Sequence, residues 1–340
     1  MNEVLTDRLV NEPSPAQLLA MLNVMVTIRR TEEQLGMDSK AGKLPGNVHL
    51  YIGQEAVAAG VCAHLGDDDF ITSTHRGHGH FLAKGGKPRE LIAEVHGKRT
   101  GACHGLAGSM HVADLSKGML GANGIVGGGM AIAAGAALSA QLQGRGQVAV
   151  VFFGDGAASE GVLSEVFNIA ALWKLPLVFV CENNLYSEFS PSATVTAGSL
   201  VDRPRPYGIP TTSIDGNDVV AVWAAAGEAV SGARQGLGPS FIEARTYRLR
   251  GHLEAEAGFI QTKYRTDEEV ASWAKRDPIP AVAARLLAQG YLAEDGLARI
   301  DSAVMLEVAE AVRFAEASEV PDMSYVEAAG FIRSAELGSR

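Results

Sequence analysis

Two short apolar runs on either side of a helical stretch constrain the fold of this chain more than any other feature. Residues 147–153 and 177–181 are almost entirely apolar, which is typical of strands buried on both faces of a parallel sheet. Between them, apolar residues recur at helical spacing over 159–173, and Pro176 ends that stretch. The pattern predicts a βαβ unit and therefore an α/β fold.

Oxygen-bearing side chains follow both predicted strands. Asp155 lies in a Gly-Asp-Gly turn after the first strand, and Asn184 ends an Asn-Asn pair after the second. Because the carboxyl ends of parallel strands open on one crevice, we expect both side chains to face it. This oxygen pair suits Mg²⁺, which keeps positions for phosphate oxygens, and a helix beginning near Ala158 would add its positive dipole end. Either tripeptide alone is also consistent with an ordinary turn, but the pair predicts a magnesium diphosphate site.

The rest of the pattern predicts one doubly wound domain. We expect an N-terminal helix that starts at Ser14-Pro15, helices at 130–143, 218–233, 267–276, 279–289 and 297–317, and strands at 211–214 and 241–245. The whole chain, 1–340, is then a single diphosphate-binding domain with a mostly parallel sheet flanked by helices. Its core lies at about 45–250, with helical extensions at 12–40 and 267–318.

Composition excludes several classes of partner. The net charge of −10 argues against binding to nucleic acid. The three cysteines, Cys62, Cys103 and Cys181, have neither metal-ligand spacing nor the even number of a disulfide framework. No apolar run reaches the length of a membrane span, and residues 1–11 lack a signal-peptide pattern. We therefore expect a cytoplasmic protein with no membrane partner.

Several further segments carry a resemblance to a known family. The Gly-Asp-Gly turn, twenty-six residues and the Asn-Asn pair together resemble the thiamine diphosphate motif. Segments similar to the alpha subunits of pyruvate, branched-chain 2-oxo acid and acetoin dehydrogenases are Thr-Ser-Thr-His-Arg-Gly-His (72–78), Gly-Ser-Met-His (108–111), Gly-Ala-Asn-Gly-Ile-Val-Gly (121–127), 167–176 and Glu-Asn-Asn-Leu-Tyr (182–186). The resemblance covers roughly residues 20 to 315, in the expected order. It implies the thiamine diphosphate-binding fold.

The resemblance also implies the residues that would hold the cofactor. Asp155 and Asn184 would bind Mg²⁺ through their side chains, and Tyr186 through its backbone carbonyl. The residues that would contact thiamine diphosphate are His75, Arg76, Gly124, Val126, Gly154, Gly156, Ala157 and His252. Among these, Arg76 would pair with a phosphate, and Gly124 and Val126 would hold the aminopyrimidine through main-chain atoms. His75 occupies a place that is tyrosine in several relatives.

Histidines form a second group of implied site residues. His252, His49 and His78 match active-site histidines of the family and are predicted to be catalytic. A lone histidine is more often a structural residue, and we keep that interpretation for His80, His104 and His111.

The same resemblance implies an enzyme made of two kinds of subunit. The chain would be the alpha subunit of an α2β2 oxidoreductase that cleaves a carbon–carbon bond next to a carbonyl, in acetoin, pyruvate or another 2-oxo acid. A beta subunit would supply the aminopyrimidine-side domain and the activating glutamate. A lipoyl-bearing acyltransferase or another carrier protein would accept the acyl unit.

Three other functions remain open at this stage. The segment Gly251-His252-Leu253-Glu254 has leucine where relatives often carry a phosphorylatable serine, so control by a kinase is unsupported. This departure leaves room for an enzyme that transfers a ketose-derived two-carbon unit to a carrier protein. A single-chain thiamine enzyme conflicts with the chain length, and a purely regulatory Mg²⁺-binding subunit would leave Arg76 and His252 without a role.

Overall fold

The computed structural model describes residues 12–258 and 260–330. The parts of the predicted domain at 1–11, 259 and 331–340 lie outside the described residues. Within the described range, no helix is both long and apolar enough to cross a membrane.

Helices and strands alternate along most of the described chain. The helices are α1 (Pro15–Lys40), α2 (Glu55–Cys62), α3 (His78–Ala83), α4 (Pro88–Val95), α5 (Gly128–Gln143), α6 (Gly161–Trp173), α7 (Ser192–Val195), α8 (Val219–Arg234), α9 (Asp267–Ala274), α10 (Pro278–Ala288), α11 (Gly296–Ala317) and α12 (Met323–Gly330). The strands are β1 (Phe70–Thr72), β2 (Met119–Gly121), β3 (Ala149–Gly154), β4 (Leu177–Asn183), β5 (Tyr186–Ser187), β6 (Ser190–Pro191), β7 (Thr211–Asp215) and β8 (Ser240–Arg245).

Six of the strands form one parallel sheet. Its order is β2-β1-β3-β4-β8-β7, and every neighbouring pair is parallel. The predicted doubly wound α/β fold is confirmed. The chain leaves β1 toward β2 on one side and enters β3 on the other, so the strand order reverses between β1 and β3. A crevice opens at such a reversal, beyond the carboxyl ends of the strands.

Alternating side chains of the central strands contact two separate apolar layers. Val150 and Phe152 of β3 pack with buried residues of α1, α2 and α8. Val151 and Phe153 of the same strand pack with α5 and α6 on the opposite face. Burial on both faces explains why the sequence of β3 is continuously apolar rather than alternating. This packing also fixes the position of the strand along the sheet, and therefore the position of the loop that follows it.

The α1 boundary follows its capping residues. The side chain of Ser14 accepts a hydrogen bond from the backbone N–H of Gln17, whose side chain accepts one from the backbone N–H of Ser14. This reciprocal capping box, with Pro15 at the first helical position, fixes where the helix begins.

The helix after β3 begins later than predicted. Residues Asp155–Ser159 form a 3₁₀ turn, and α6 starts at Gly161 rather than near Ala158. The prediction that a helix begins near Ala158, with its positive dipole end at that residue, is therefore wrong. The 3₁₀ turn is tighter than an α-helical turn, and it lies directly against the crevice.

Candidate active site

A cavity lies at the reversal of strand order. Its volume is ≈ 390 Å³, and its walls are loops that follow β1, β2, β3, β4 and β8. All predicted metal and cofactor residues line it: His75, Arg76, Gly124, Val126, Gly154, Asp155, Gly156, Ala157, Asn184, Tyr186 and His252. The topology therefore brings together residues that are far apart in sequence, in the place where α/β folds bind ligands.

Asp155 is a buried carboxylate at the carboxyl end of β3. Its side chain accepts hydrogen bonds from the Ser192 hydroxyl and, at 3.3 Å, from the Asn184 backbone N–H. Among the described residues, no cationic side chain forms an ion pair with it. Burial raises the pKa of Asp155, and the hydrogen bond from Ser192 offsets part of that shift. A buried anion without a cation is costly, and a bound metal ion would remove the cost.

The loop after β4 supplies the other two predicted metal ligands. The Asn184 amide Nδ2 donates to Gln54 Oε1 at 3.0 Å, and its Oδ1 accepts from the Tyr186 backbone N–H at 3.3 Å, which leaves the second lone pair of this oxygen for a cation. Tyr186 lies between Leu185 (φ 71°) and Glu188 (φ 54°), two non-glycine residues in the left-handed region. Such backbone conformations are rare outside glycine and occur where a site requires a particular geometry.

A close contact explains why Gly156 is glycine. A Cβ at this position would lie 2.5 Å from Ser187 Oγ, so any side chain would push away the loop after β4. The Asp155 turn and the Asn184 loop can approach each other only without that side chain.

Two guanidinium groups lie side by side beneath the cavity. Arg76 donates to the Leu50 carbonyl at 2.6 Å and to the His252 carbonyl at 3.1 Å. Burial, reinforced by the positive charge of Arg248, lowers the pKa of Arg76 to about 9. Arg248 is also buried with a lowered pKa, and its Nε has no hydrogen-bond partner among the described residues. Neither arginine pairs with a carboxylate there, so the pair is suited to an anion such as a diphosphate.

Three histidines converge on the same cavity. One ring nitrogen from each of His49, His75 and His252 lies within 4.8 Å of the others. The ring centroid of His49 is 4.7 Å from that of His75 and 4.9 Å from that of His252. His49 reaches His252 because Gly53, at φ 103°, allows the loop before α2 to pack directly on residues 247–249. A Cβ on Gly53 would lie 2.3 Å from the Tyr247 carbonyl oxygen.

All three imidazoles are neutral at neutral pH. Burial, followed by the charge of Arg76, lowers the pKa of His49 to about 3 and those of His75 and His252 to about 2. A neutral imidazole carries one donor and one acceptor nitrogen, so the cluster can both give and receive hydrogen bonds.

His78 lies outside the cavity wall. It is fully buried, with Nδ1 3.2 Å from the Glu32 carboxylate and Nε2 3.0 Å from Ser109 Oγ. This Glu-His-Ser contact fixes the segment that carries His111. The backbone N–H of Gly124 donates to His111 Nε2 at 3.3 Å. The predicted catalytic role of His78 stays a prediction. Its contacts hold Ser109, and the same segment reaches the cavity wall through the contact of His111 with Gly124.

The two other histidines interpreted as structural have different surroundings. His80 is buried, with Nδ1 2.7 Å from Ser73 Oγ and Nε2 3.2 Å from the Tyr51 hydroxyl. His104 is exposed and lies against Tyr325, with ring centroids 5.5 Å apart.

Sequence analysis assigned no role to four residues that shape the site. Gln54 and Ser192 hold Asn184 and Asp155, and Glu182 lines the cavity with a hydrogen bond from the Tyr51 hydroxyl. Arg248 is the most informative omission. It belongs to the segment Arg-Leu-Arg-Gly-His that ends at His252, and an arginine four residues before a histidine matched to the family's active site was the available signal.

Comparison with known proteins identifies the family. The family model described as dehydrogenase E1 component matches residues 23–324. The chain belongs to this family.

Curated relatives are similar to this E1 component over most of its length. The alpha subunit of acetoin:2,6-dichlorophenolindophenol oxidoreductase from Bacillus subtilis is 48% identical over 304 residues, which are 89% of this chain and 90% of the relative. The subunit with the same name from Cupriavidus necator is 45% identical over 89% of this chain and 91% of its own. The pyruvate dehydrogenase E1 component subunit alpha of Rhizobium meliloti is 41% identical over 88% of this chain and 86% of its own.

Family membership makes this chain a component of a dehydrogenase that uses thiamine diphosphate. The residues present fit that cofactor. Among the described residues, a buried carboxylate lacks a cation and two buried guanidiniums lack a carboxylate partner, and Gly156 lines the same cavity without a side chain.

Proposed function

We propose that this E1 component is the alpha subunit of an α2β2 enzyme that binds Mg²⁺ and thiamine diphosphate. In this proposal, the enzyme cleaves a carbon–carbon bond next to a carbonyl in acetoin or in a 2-oxo acid such as pyruvate. The observation that carries it is the convergence of Asp155 and Asn184 with Arg76 and Arg248 at one crevice of the sheet. The names of the relatives support the reaction class.

Each group has a defined task in this proposal. Asp155, the Asn184 amide oxygen and the Tyr186 carbonyl would hold Mg²⁺, whose charge would favour binding of the diphosphate. Arg76 and Arg248 neutralise the diphosphate, and Gly154, Gly156 and Ala157 let it approach the main chain. When bound, the cofactor supplies a carbon nucleophile and accepts the electron pair of the broken bond. His49, His75 and His252 hold and move protons around the substrate.

A beta subunit is the partner that this proposal requires. The relatives are named as alpha subunits, and large apolar residues are exposed both at the cavity and at the far end of α6. Ile125 and Val126 line the cavity and are 72% and 51% exposed, and Leu172 and Trp173 at the end of α6 are 73% and 50% exposed. An apolar surface of this kind is typical of a protein interface. The beta subunit would cover it and supply the activating glutamate.

The later steps of the pathway are part of the same proposal. A lipoyl-bearing acyltransferase or another carrier protein accepts the acyl unit, and the complex is cytoplasmic. The relatives are subunits of dehydrogenases and of an acetoin oxidoreductase, so they do not favour the alternative transfer of a ketose-derived unit.

Cofactor titration of the complex with its co-expressed beta subunit tests this function. With Mg²⁺ present, we expect thiamine diphosphate to bind and to support reduction of an artificial electron acceptor with acetoin or pyruvate. Asp155→Ala should weaken cofactor binding at least about 100-fold, because one of few metal ligands is lost. Asp202→Ala, a surface carboxylate paired with Arg205, is the matched control and should bind normally. Equal binding by both variants would contradict the proposed metal site.

A further inference from the structure

The three cavity histidines have different hydrogen-bonding environments. Arg248 Nη1 lies 2.8 Å from His252 Nδ1. A guanidinium can only donate, so Nδ1 accepts and the proton of neutral His252 sits on Nε2. His252 therefore presents an N–H donor on its other nitrogen. Its tautomer is set by Arg248.

His75 differs from His252 in having no such partner. Among the residues that the structure describes, neither of its ring nitrogens forms a hydrogen bond, and its contacts are the rings of His49 and His252. His75 is partly exposed and lines the cavity. One of its nitrogens is therefore an unused acceptor that faces the space next to the donor of His252.

We infer that His75 is the base that removes the hydroxyl proton of a 2-hydroxyketone while His252 donates to the adjacent oxygen. This inference rests on the proposed function and names its substrate class. The rings of His75 and His252 lie with their centroids 5.3 Å apart, so a donor on one and a free acceptor on the other complement a carbonyl oxygen next to a hydroxyl group.

Cleavage of a 2-hydroxyketone requires a base, whereas decarboxylation of a 2-oxo acid does not. To cleave a 2-hydroxyketone, the O–H bond breaks and its proton passes to the His75 nitrogen. The carbinol carbon becomes an aldehyde, and the electron pair of the broken carbon–carbon bond is left on the former ketone carbon, where the cofactor would accept it. A 2-oxo acid loses CO₂ instead, and its carboxylate has no proton to give up. The base is required for the first substrate class alone.

The charges around His75 couple this base to the diphosphate. Arg76 and Arg248 are the permanently charged groups that disfavour protonation of His75, after burial itself. A diphosphate bound to Arg76 and Arg248 cancels the two permanent charges, so the pKa of His75 rises toward the range in which a general base works. The base is therefore strengthened when the anion is bound.

Substrate discrimination by His75→Gln in the complex with the beta subunit is the decisive test. Glutamine keeps a donor and an acceptor but cannot take up a proton. We expect the ratio of acetoin turnover to pyruvate turnover (kcat) to fall by about 30-fold or more, apart from any loss that both substrates share. Because His75 is also a predicted cofactor contact, both rates are measured at saturating thiamine diphosphate, so that a weaker cofactor affinity does not enter the ratio. Equal losses with both substrates would overturn the inference and make His75 a positioning residue.

Two further readouts do not depend on the variant's activity. The histidine pKa values, followed by NMR on the full chain with and without inorganic pyrophosphate, should show an upward shift for His75. An unchanged pKa for His75 would contradict the coupling. A wild-type complex that turns over pyruvate but not acetoin would refute this inference and leave the proposed function intact. A complex that turns over neither substrate would refute the proposed function itself.

Discussion

Asp155 has opposite effects on folding and on metal binding. Its pKa is raised because burial disfavours the carboxylate, so the protonated form stabilises the fold below about pH 3.8 and this benefit is lost as pH rises. Ionisation of this buried carboxyl therefore costs the cofactor-free fold stability. Metal binding offsets that charge.

Asp155→Asn should therefore stabilise the cofactor-free chain while it weakens Mg²⁺-dependent cofactor binding. The amide keeps an acceptor for Ser192 without the charge, and removing such functional strain commonly stabilises by about 0.5–2 kcal/mol. Thermal unfolding without Mg²⁺ would measure the gain. A lower melting temperature for Asp155→Asn than for wild type would mean that the carboxylate is already compensated in the free chain.

The histidine cluster predicts a pH dependence of stability. The pKa values of His49, His75 and His252 are about 3, 2 and 2 in the fold, below the ordinary 6.5. Below about pH 6.5 the unfolded chain takes up protons that the folded chain does not, so stability falls as pH decreases. Each histidine contributes a slope of at most about 1.4 kcal/mol per pH unit. Urea unfolding of the cofactor-free chain between pH 7 and 5 should therefore show a shallower slope for His75→Gln than for wild type, and parallel slopes would refute this.

At the scale of elements, the packing of α2 on α8 depends on one glycine. A Cβ on Gly60 would lie 2.7 Å from Val222 Cγ1 and 3.1 Å from the Trp223 backbone nitrogen. Both neighbours are buried, so the helices must separate to accept a methyl group.

Gly60→Ala should destabilise the chain by about 1–3 kcal/mol, in spite of the better helix propensity of alanine. Gly232→Ala in α8 is the matched control, because the nearest atom to its Cβ is Leu237 Cδ1 at 3.7 Å. That variant should stabilise by about 0.4–1 kcal/mol, since alanine restricts the unfolded chain. Chemical denaturation of both variants measures the difference, and equal effects would show that the α2–α8 contact adapts.

At the scale of the whole molecule, the proposed association with a beta subunit predicts a role for the exposed apolar residues at the end of α6, Leu172 and Trp173. Leu172→Asp should prevent association with the beta subunit without unfolding the chain, because it places a charge in an apolar interface. Leu306→Asp on α11, where the leucine is 68% exposed, is the matched control and should leave assembly unchanged. Size-exclusion chromatography of the co-expressed subunits, with circular dichroism of each variant, distinguishes lost assembly from lost folding. Normal assembly of Leu172→Asp would show that Leu172 does not lie in the interface with the beta subunit.

The sequence alone predicted the central fold and much of the candidate site. The apolar runs of β3 and β4 are continuous because both faces of the sheet are covered, and that burial makes them easy to recognise. Asp155 and Asn184 were found because each follows one of these strands. The region between 42 and 118 was harder to assign. There β1 and β2 have only three residues each, and α2, α3 and α4 are short, so no periodicity develops over a sufficient window.

Only the tertiary structure decided which distant residues meet. Glu32 of α1 contacts His78, and Gln54 holds Asn184, although many residues separate the members of each pair. Arg248 sets the tautomer of His252, and the approach of Gly53 to Tyr247 brings His49 beside it. Local sequence patterns report the periodicity of burial along one segment. The contacts that position and charge the site depend instead on how loops from separate strands pack at one crevice, and that packing has no local signature.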